Sequence, residues 1–254
     1  MPIKLIRELR MGPPKCWKTG AVVGTYPRPL LVLNFDQEGL DVITEAITPI
    51  SVVDFETVCK LPVDKQPPLS VVDFCDTQVK LMTEVYVPQG ATKPFKEFVE
   101  TVNRLVRVGC PWKTIVLDSA SGLGDAILAH IAATNASSLA SALKWAPMIG
   151  GKVHQCMGVM TSIQSHVVFI FHASTPEKDE TTQQVEITPL VASKWARDRV
   201  GSLVSQYFYQ CIESGKPIIH TRDNGYVRGI GCRWPNGLAP KVGATFKDIY
   251  GKEL

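Results

Sequence analysis

Gly12-Pro13-Pro14-Lys15-Cys16-Trp17-Lys18-Thr19 is the stretch on which the reading of this chain turns. It follows the pattern G-x-x-x-x-G-K-[ST] at every fixed position except the second glycine, where Trp17 stands. In that pattern the backbone N–H groups of a loop close around phosphate oxygens at a helix N-terminus. A lysine at position 18 reaches the outer phosphates, and a hydroxyl at position 19 ligates Mg²⁺. The plain alternative is a proline-rich turn before a helix, with a solvated lysine. Context favours the phosphate loop: Ile3–Leu9 reads as a strand before it and Lys18–Val23 as a short helix after it.

Outward from the loop, strands alternate with helices, as in a mostly parallel sheet covered on both faces. Leu30–Phe35 is an apolar strand that ends in the turn residues Asp36-Gln37-Glu38-Gly39. Pro94–Val108 carries Phe95, Phe98, Val99, Val102, Leu105 and Val106 at helical spacing. Thr114–Asp118 is a strand closing on a carboxylate, Leu123–Ala133 and Val153–Ile163 are helices, and Asn135–Gly151 between them reads as irregular. Val167–Phe171 is an apolar strand that ends at His172. Ser174–Thr188 is too charged for a core and reads as a loop or protruding hairpin. The pentapeptide Ser-Val-Val-Asp-Phe occurs at 51–55 and again at 70–74, and both copies read as edge strands. Near the C-terminus, Asn224-Gly225 between two strand-like halves predicts a hairpin. No Gly/Ser-rich linker divides the chain, so residues 1–254 read as one domain.

Composition narrows the class without naming it. Of 254 residues, 45% are hydrophobic and 20% charged, the balance of a globular chain. No apolar run reaches the ~20 residues of a membrane helix. The seven cysteines and five histidines are scattered without a C-x-x-C pair, which argues against a zinc ribbon or a disulfide framework and for a cytoplasmic setting. A net charge of +3 permits nucleic-acid binding without arguing for it.

Three further residues lie at expected strand ends, where ligands sit in open α/β sheets. Asp118 could hold the same Mg²⁺ as Thr19; a turn residue is the alternative. Glu38 could deprotonate an attacking water, or serve only the turn together with Asp36. His172 could sense the terminal phosphate or simply cap its strand.

With these pieces in order, the chain resembles RecA-type ATPases, and more closely the small phage-encoded AAA-domain nucleotide-binding proteins that accompany single-strand annealing proteins. The segments GPPKCWKTG (12–20), LLVLNFDQEG (30–39), TIVLDSASGL (114–123), HVVFIFHAS (166–174), PLVASKWARDRVG (189–201) and GYVRGIGCRWP (225–235) carry the likeness. It implies a RecA-like core with a C-terminal β-hairpin extension over about 217–254, binding ATP with Mg²⁺. It implies Glu38 as the water-activating carboxylate, His172 as the sensor, and Lys194 (or Arg197 or Arg199) as the cation offered to a neighbour's nucleotide. It implies a ring or filament on single-stranded DNA, with the ATP site at a subunit interface and an annealing or single-strand-binding protein as possible partner. DNA-facing loops would fall at Ala142–Gly151 and Ser174–Thr188. The second holds Glu177, Asp179, Glu180 and Glu186 against Lys178, which departs from a basic DNA surface. Trp17 departs too: an indole there must point out of the loop, and it favours a second reading, a nucleotide-gated assembly protein with little turnover. A packaging or partition motor would share the same core.

Overall fold

Four parallel strands stand side by side; three are apolar on both faces, as a sheet buried by helices requires, and the fourth carries Glu8 and Arg10 on one face. In a computed structural model of the chain these are β1 (Arg7–Gly12), β2 (Leu30–Asn34), β5 (Thr114–Asp118) and β6 (His166–His172). The structure describes the chain except residues 1–4, 37, 76–91, 135–141, 175–176, 179–184, 224–226, 228, 234–236 and 252–254.

The other strands of this sheet are β3 (Thr48–Pro49), β4 (Leu69–Asp73), β9 (Gln206–Glu213), β10 (Lys216–His220), β11 (Gly231–Cys232) and β12 (Lys241–Gly243). The sheet runs β12-β10-β9-β1-β6-β5-β2-β4-β3, with β11 also on β9. From β3 to β9 every pairing is parallel; β10, β11 and β12 add antiparallel strands at one edge. This is the mixed, mostly parallel α/β architecture expected from the sequence.

The helices are α1 (Lys18–Thr25), α2 (Phe55–Cys59), α3 (Lys93–Val108), α4 (Ala120–Thr134), α5 (Ala142–Thr161), α6 (Lys194–Val200) and α7 (Phe246–Tyr250). One face of the sheet packs Leu9, Met11, Leu33, Leu117 and Phe169 against α3, α4 and α5. The other packs Ile6, Val32, Val116, Val168 and Phe208 against α1 and α7. Each such fully buried side chain contributes about 1.5–3 kcal/mol of transfer free energy. In α3 the residues Phe95, Phe98, Val102 and Leu105 of the expected stripe are buried and Val99 is half-buried, whereas Val106 is exposed.

Three expectations change. The stretch expected to be irregular is helical from Ala142 onward, so α5 runs for 20 residues with Pro147 inside it; residues 135–141 lie outside the described ones. Trp145, Ile149, Val153, Met157 and Met160 recur at three- or four-residue steps and are all buried, and this packing outweighs the proline. Ala142–Gly151 is therefore a packed helix rather than a DNA-facing loop. Of the two Ser-Val-Val-Asp-Phe copies, only 70–74 forms a strand, and β4 lies between β2 and β3 rather than at the edge. Residues 51–54 instead lead into α2, where the Ser51 hydroxyl accepts from Asp54 N–H at 3.1 Å.

The C-terminal hairpin, finally, turns one strand earlier than Asn224-Gly225 suggests, which lie outside the described residues. β9 and β10 pair across Ser214-Gly215, both at positive φ. The two strand-like halves, β10 and β11, both align on β9 rather than on each other. Within the acidic segment, β7 (Glu177–Lys178) pairs β8 (Val185–Glu186) as a small hairpin; Asp179 and Glu180 lie outside the described residues.

Candidate nucleotide and metal site

The parallel strands end in register, and this brings the candidate residues together. Gly12 pairs with His172, and Asn34 pairs with Asp118. The loop leaving β1 thus rises beside the ends of β2, β5 and β6.

Within that loop Pro13 and Pro14 offer no N–H, so backbone donation starts at Lys15. Lys15 and Trp17 adopt left-handed backbone (φ 58° and 65°) on either side of Cys16, the kind of alternation that turns successive N–H groups to one side. Glycine is the default residue for such a conformation, which is the physical content of the missing second glycine at Trp17. The indole of Trp17 is 43% exposed and folds back over Gly20 in the first turn of α1, where an added Cβ would collide with the indole ring. It leans on the helix start rather than standing free above the loop. Gly12 is equally constrained, because a Cβ there would strike the carbonyl of Gln210 on β9. Gln210 also donates from Nε2 to Cys16 O at 2.7 Å and so pins the loop to β9.

Lys18 is buried, and its ammonium donates to Gly12 O (3.0 Å) and Pro13 O (2.7 Å). Thr19 donates its hydroxyl proton to Asp118 Oδ2 at 2.5 Å. Asp118 is buried, and burial pushes its carboxyl up to about 6. The Thr19 hydrogen bond and the charges of Lys18 and His172 pull it down, while Asp36 adds to the rise. Its Oδ1 is buried with no hydrogen-bond partner among the described residues. An orphaned carboxylate oxygen beside a hydroxyl is a hard-oxygen donor set, and it suits Mg²⁺. Thr19 and Asp118 are the residues that would hold the ion.

Across from Asp118 lies the turn after β2. A Cβ added at Gly39 would sit 3.0 Å from Asp118 Oδ2, so this turn folds directly against the carboxylate. Asp36, half-buried, lies 3.4 Å from His172 Nε2. That hydrogen bond, with the N–H groups of Glu38 and Gly39, holds the Asp36 carboxyl below its ordinary value against the effect of burial. Glu38 is exposed and donates its N–H to Asp36 Oδ1 at 3.1 Å. His172 Nδ1 is buried and has no partner among the described residues. Its backbone N–H donates to Ser121 Oγ (3.2 Å), and that hydroxyl donates to Leu190 O (2.9 Å). The structure therefore gathers Lys18, Thr19, Asp118, Asp36 and His172, with Glu38 at the exposed rim.

Lys194 begins α6, which Ser193 caps by accepting from Ala196 N–H at 3.2 Å. The Lys194 side chain is exposed. Trp195 is edge-on to His154 of α5, and the Arg199 guanidinium lies 4.9 Å over the Trp195 ring.

Sequence reading missed the support beneath the loop. Glu8 and Arg10 on β1 are fully buried and paired at 2.7 Å. Arg10 also donates to Gln210 Oε1, Ala244 O and Tyr26 Oη, while Tyr26 and Tyr250 donate to Glu8. The available signal was the charge at alternate positions of Arg7-Glu8-Leu9-Arg10, which places Glu8 and Arg10 on one face of the strand.

No family model and no curated protein matches the chain. Among solved structures it is similar to a RadB recombinase, with TM-score 0.43 and 12% identity over 97% of this chain and 91% of that one. At that score and identity the likeness decides nothing about substrate, partner or activity.

Proposed function

We propose that this chain, acting as one unit over residues 1–254, binds ATP with Mg²⁺ and hydrolyses it, and that it works on single-stranded DNA in recombination or replication as a ring or filament. The observation that carries the nucleotide reading is the convergence of Lys18, Thr19 and the half-satisfied Asp118 on the left-handed loop 15–17. Lys18 exchanges two carbonyl partners for the outer phosphates. Bound Mg²⁺ supplies charge neutralisation on those phosphates. Thr19 and Asp118 orient the ion, Glu38 accepts the proton of the attacking water from the exposed rim, and Asp36 holds His172 toward the terminal phosphate. Lys194, exposed at the start of α6, is the cation that a neighbouring subunit presents.

The DNA, the oligomer, an annealing partner and a phage setting rest on the motif resemblance. The second reading, nucleotide-gated assembly with little turnover, is favoured by one observation: Trp17 takes a left-handed conformation and lies on the helix that bears Lys18 and Thr19. Phosphate release measured with and without single-stranded DNA separates the two. DNA-stimulated release that Glu38→Gln slows by ~10²–10⁴, and that mixed Lys18→Ala and Lys194→Ala chains partly restore, supports the first. Nucleotide binding without release supports the second, and no binding sinks both.

A further inference from the structure

The hairpin of β9 and β10 carries a second group of side chains that the nucleotide reading does not use. Strand alternation puts Tyr209, Cys211 and Glu213 on one face, and the register sets Tyr209 opposite His220. The His220 ring reaches diagonally to both neighbours. Its Nε2 lies 3.5 Å from Cys211 Sγ and 2.7 Å from Glu213 Oε1, and Cys211 Sγ lies 3.8 Å from the same oxygen. These three ligand atoms all fall within 4.8 Å of one another.

A tetrahedral zinc ion with bonds of about 2.3 Å to sulfur and about 2.0–2.1 Å to nitrogen and oxygen sets its ligands roughly 3.3–3.6 Å apart. The two distances from sulfur already lie near that range. The third opens by about 0.6 Å once an ion replaces the hydrogen bond between His220 and Glu213. Lys241 Nζ donates to Glu213 Oε2 at 2.9 Å and to Oε1 at 3.0 Å, so an ion at Oε1 would displace the second of these bonds while the first still orients the carboxylate.

An ion-paired surface cluster accounts for Glu213, His220 and Lys241, but not for a thiol aimed at the same point. We propose that Cys211, Glu213 and His220 form a site for a thiophilic divalent cation of the zinc type, with water as fourth ligand. A metal takes the Cys211 sulfur as thiolate, so uptake releases the thiol proton. The site lies beside the phosphate loop, since Gln210 within the same strand holds Cys16.

The probe is Co²⁺ added to the metal-free full-length chain, followed by absorption spectroscopy. One equivalent should give a thiolate-to-cobalt charge-transfer band that Zn²⁺ abolishes. Cys211→Ser and His220→Ala should lose the band, Glu213→Gln should weaken binding at least ~10-fold, and Cys232→Ser should leave it intact. Absence of the band, or its persistence in Cys211→Ser, overturns the site. If the variants fail to fold, alkylation of the unaltered chain decides: Zn²⁺ should protect Cys211 in a peptide map, and equal labelling with and without Zn²⁺ overturns the proposal.

Discussion

Two buried polar clusters, one on β1 and one at the ends of β5 and β6, are built on opposite principles. Beneath the sheet, the Glu8 and Arg10 cluster is closed: every guanidinium nitrogen has a partner, and both Glu8 oxygens accept. At the strand ends, the Asp118 cluster is open: Asp118 Oδ1 and His172 Nδ1 are buried without partners. Burial without partners costs free energy, and a ligand or ion that completes such atoms offsets that cost. The closed cluster supports, and the open one is poised to bind.

That contrast breaks most visibly if the closed cluster proves expendable. Arg10→Ala strands the Glu8 carboxylate in the interior, so it should lower stability by about 3–5 kcal/mol in chemical denaturation. A loss under about 1 kcal/mol would mean the cluster is not holding β1.

The open cluster should respond with the opposite sign. The folded Asp118 carboxyl keeps its proton up to about 6, against 3.8 for the free group. Between those values the unfolded chain ionises first, so stability falls as pH rises through this window, by at most roughly 3 kcal/mol. Asp118→Asn removes that loss: it should be more stable than the parent at pH 7 and match it below pH 4. Mg²⁺-dependent phosphate release should vanish in the same variant. A parent stability curve that is level from pH 4 to 7, and matched by the variant, would close the supposed gap between the clusters.

The smallest effect belongs to the loop itself. At Trp17 the left-handed backbone favours glycine over alanine by about 1 kcal/mol. Trp17→Gly should therefore melt above Trp17→Ala by several degrees. The reverse order would show that the indole's seat on Gly20, rather than the backbone, governs the loop.

The apolar strands and the phosphate-loop pattern were legible because each is local: Leu30–Asn34, Thr114–Asp118 and His166–His172 need only their own composition. What escaped depends on neighbours distant in sequence. The two Ser-Val-Val-Asp-Phe copies make the point, since one is a strand with Ser70 fully buried and the other leaves Val53 86% exposed. The second copy lies between β2 and β3; in the first, residues 51–54 form a turn that leads into α2. Likewise residues 142–151 read as irregular, whereas the buried stripe from Trp145 to Met160 holds them in α5 with Pro147 inside the helix. In the site, Lys18, Thr19 and Asp118 follow from the sequence pattern, whereas the contact of Asp36 with His172 at 3.4 Å depends on two strand ends meeting in space.

Nucleotide binding at the loop is the claim on which the account rests, and titration of a fluorescent ATP analogue into parent and Lys18→Ala chains tests it most directly. Charge-assisted contacts of about 1.5–3 kcal/mol are lost with the ammonium, so the variant should bind at least ~10-fold more weakly while its melting stays cooperative. Equal affinity in the two chains would contradict a phosphate site at Gly12–Thr19.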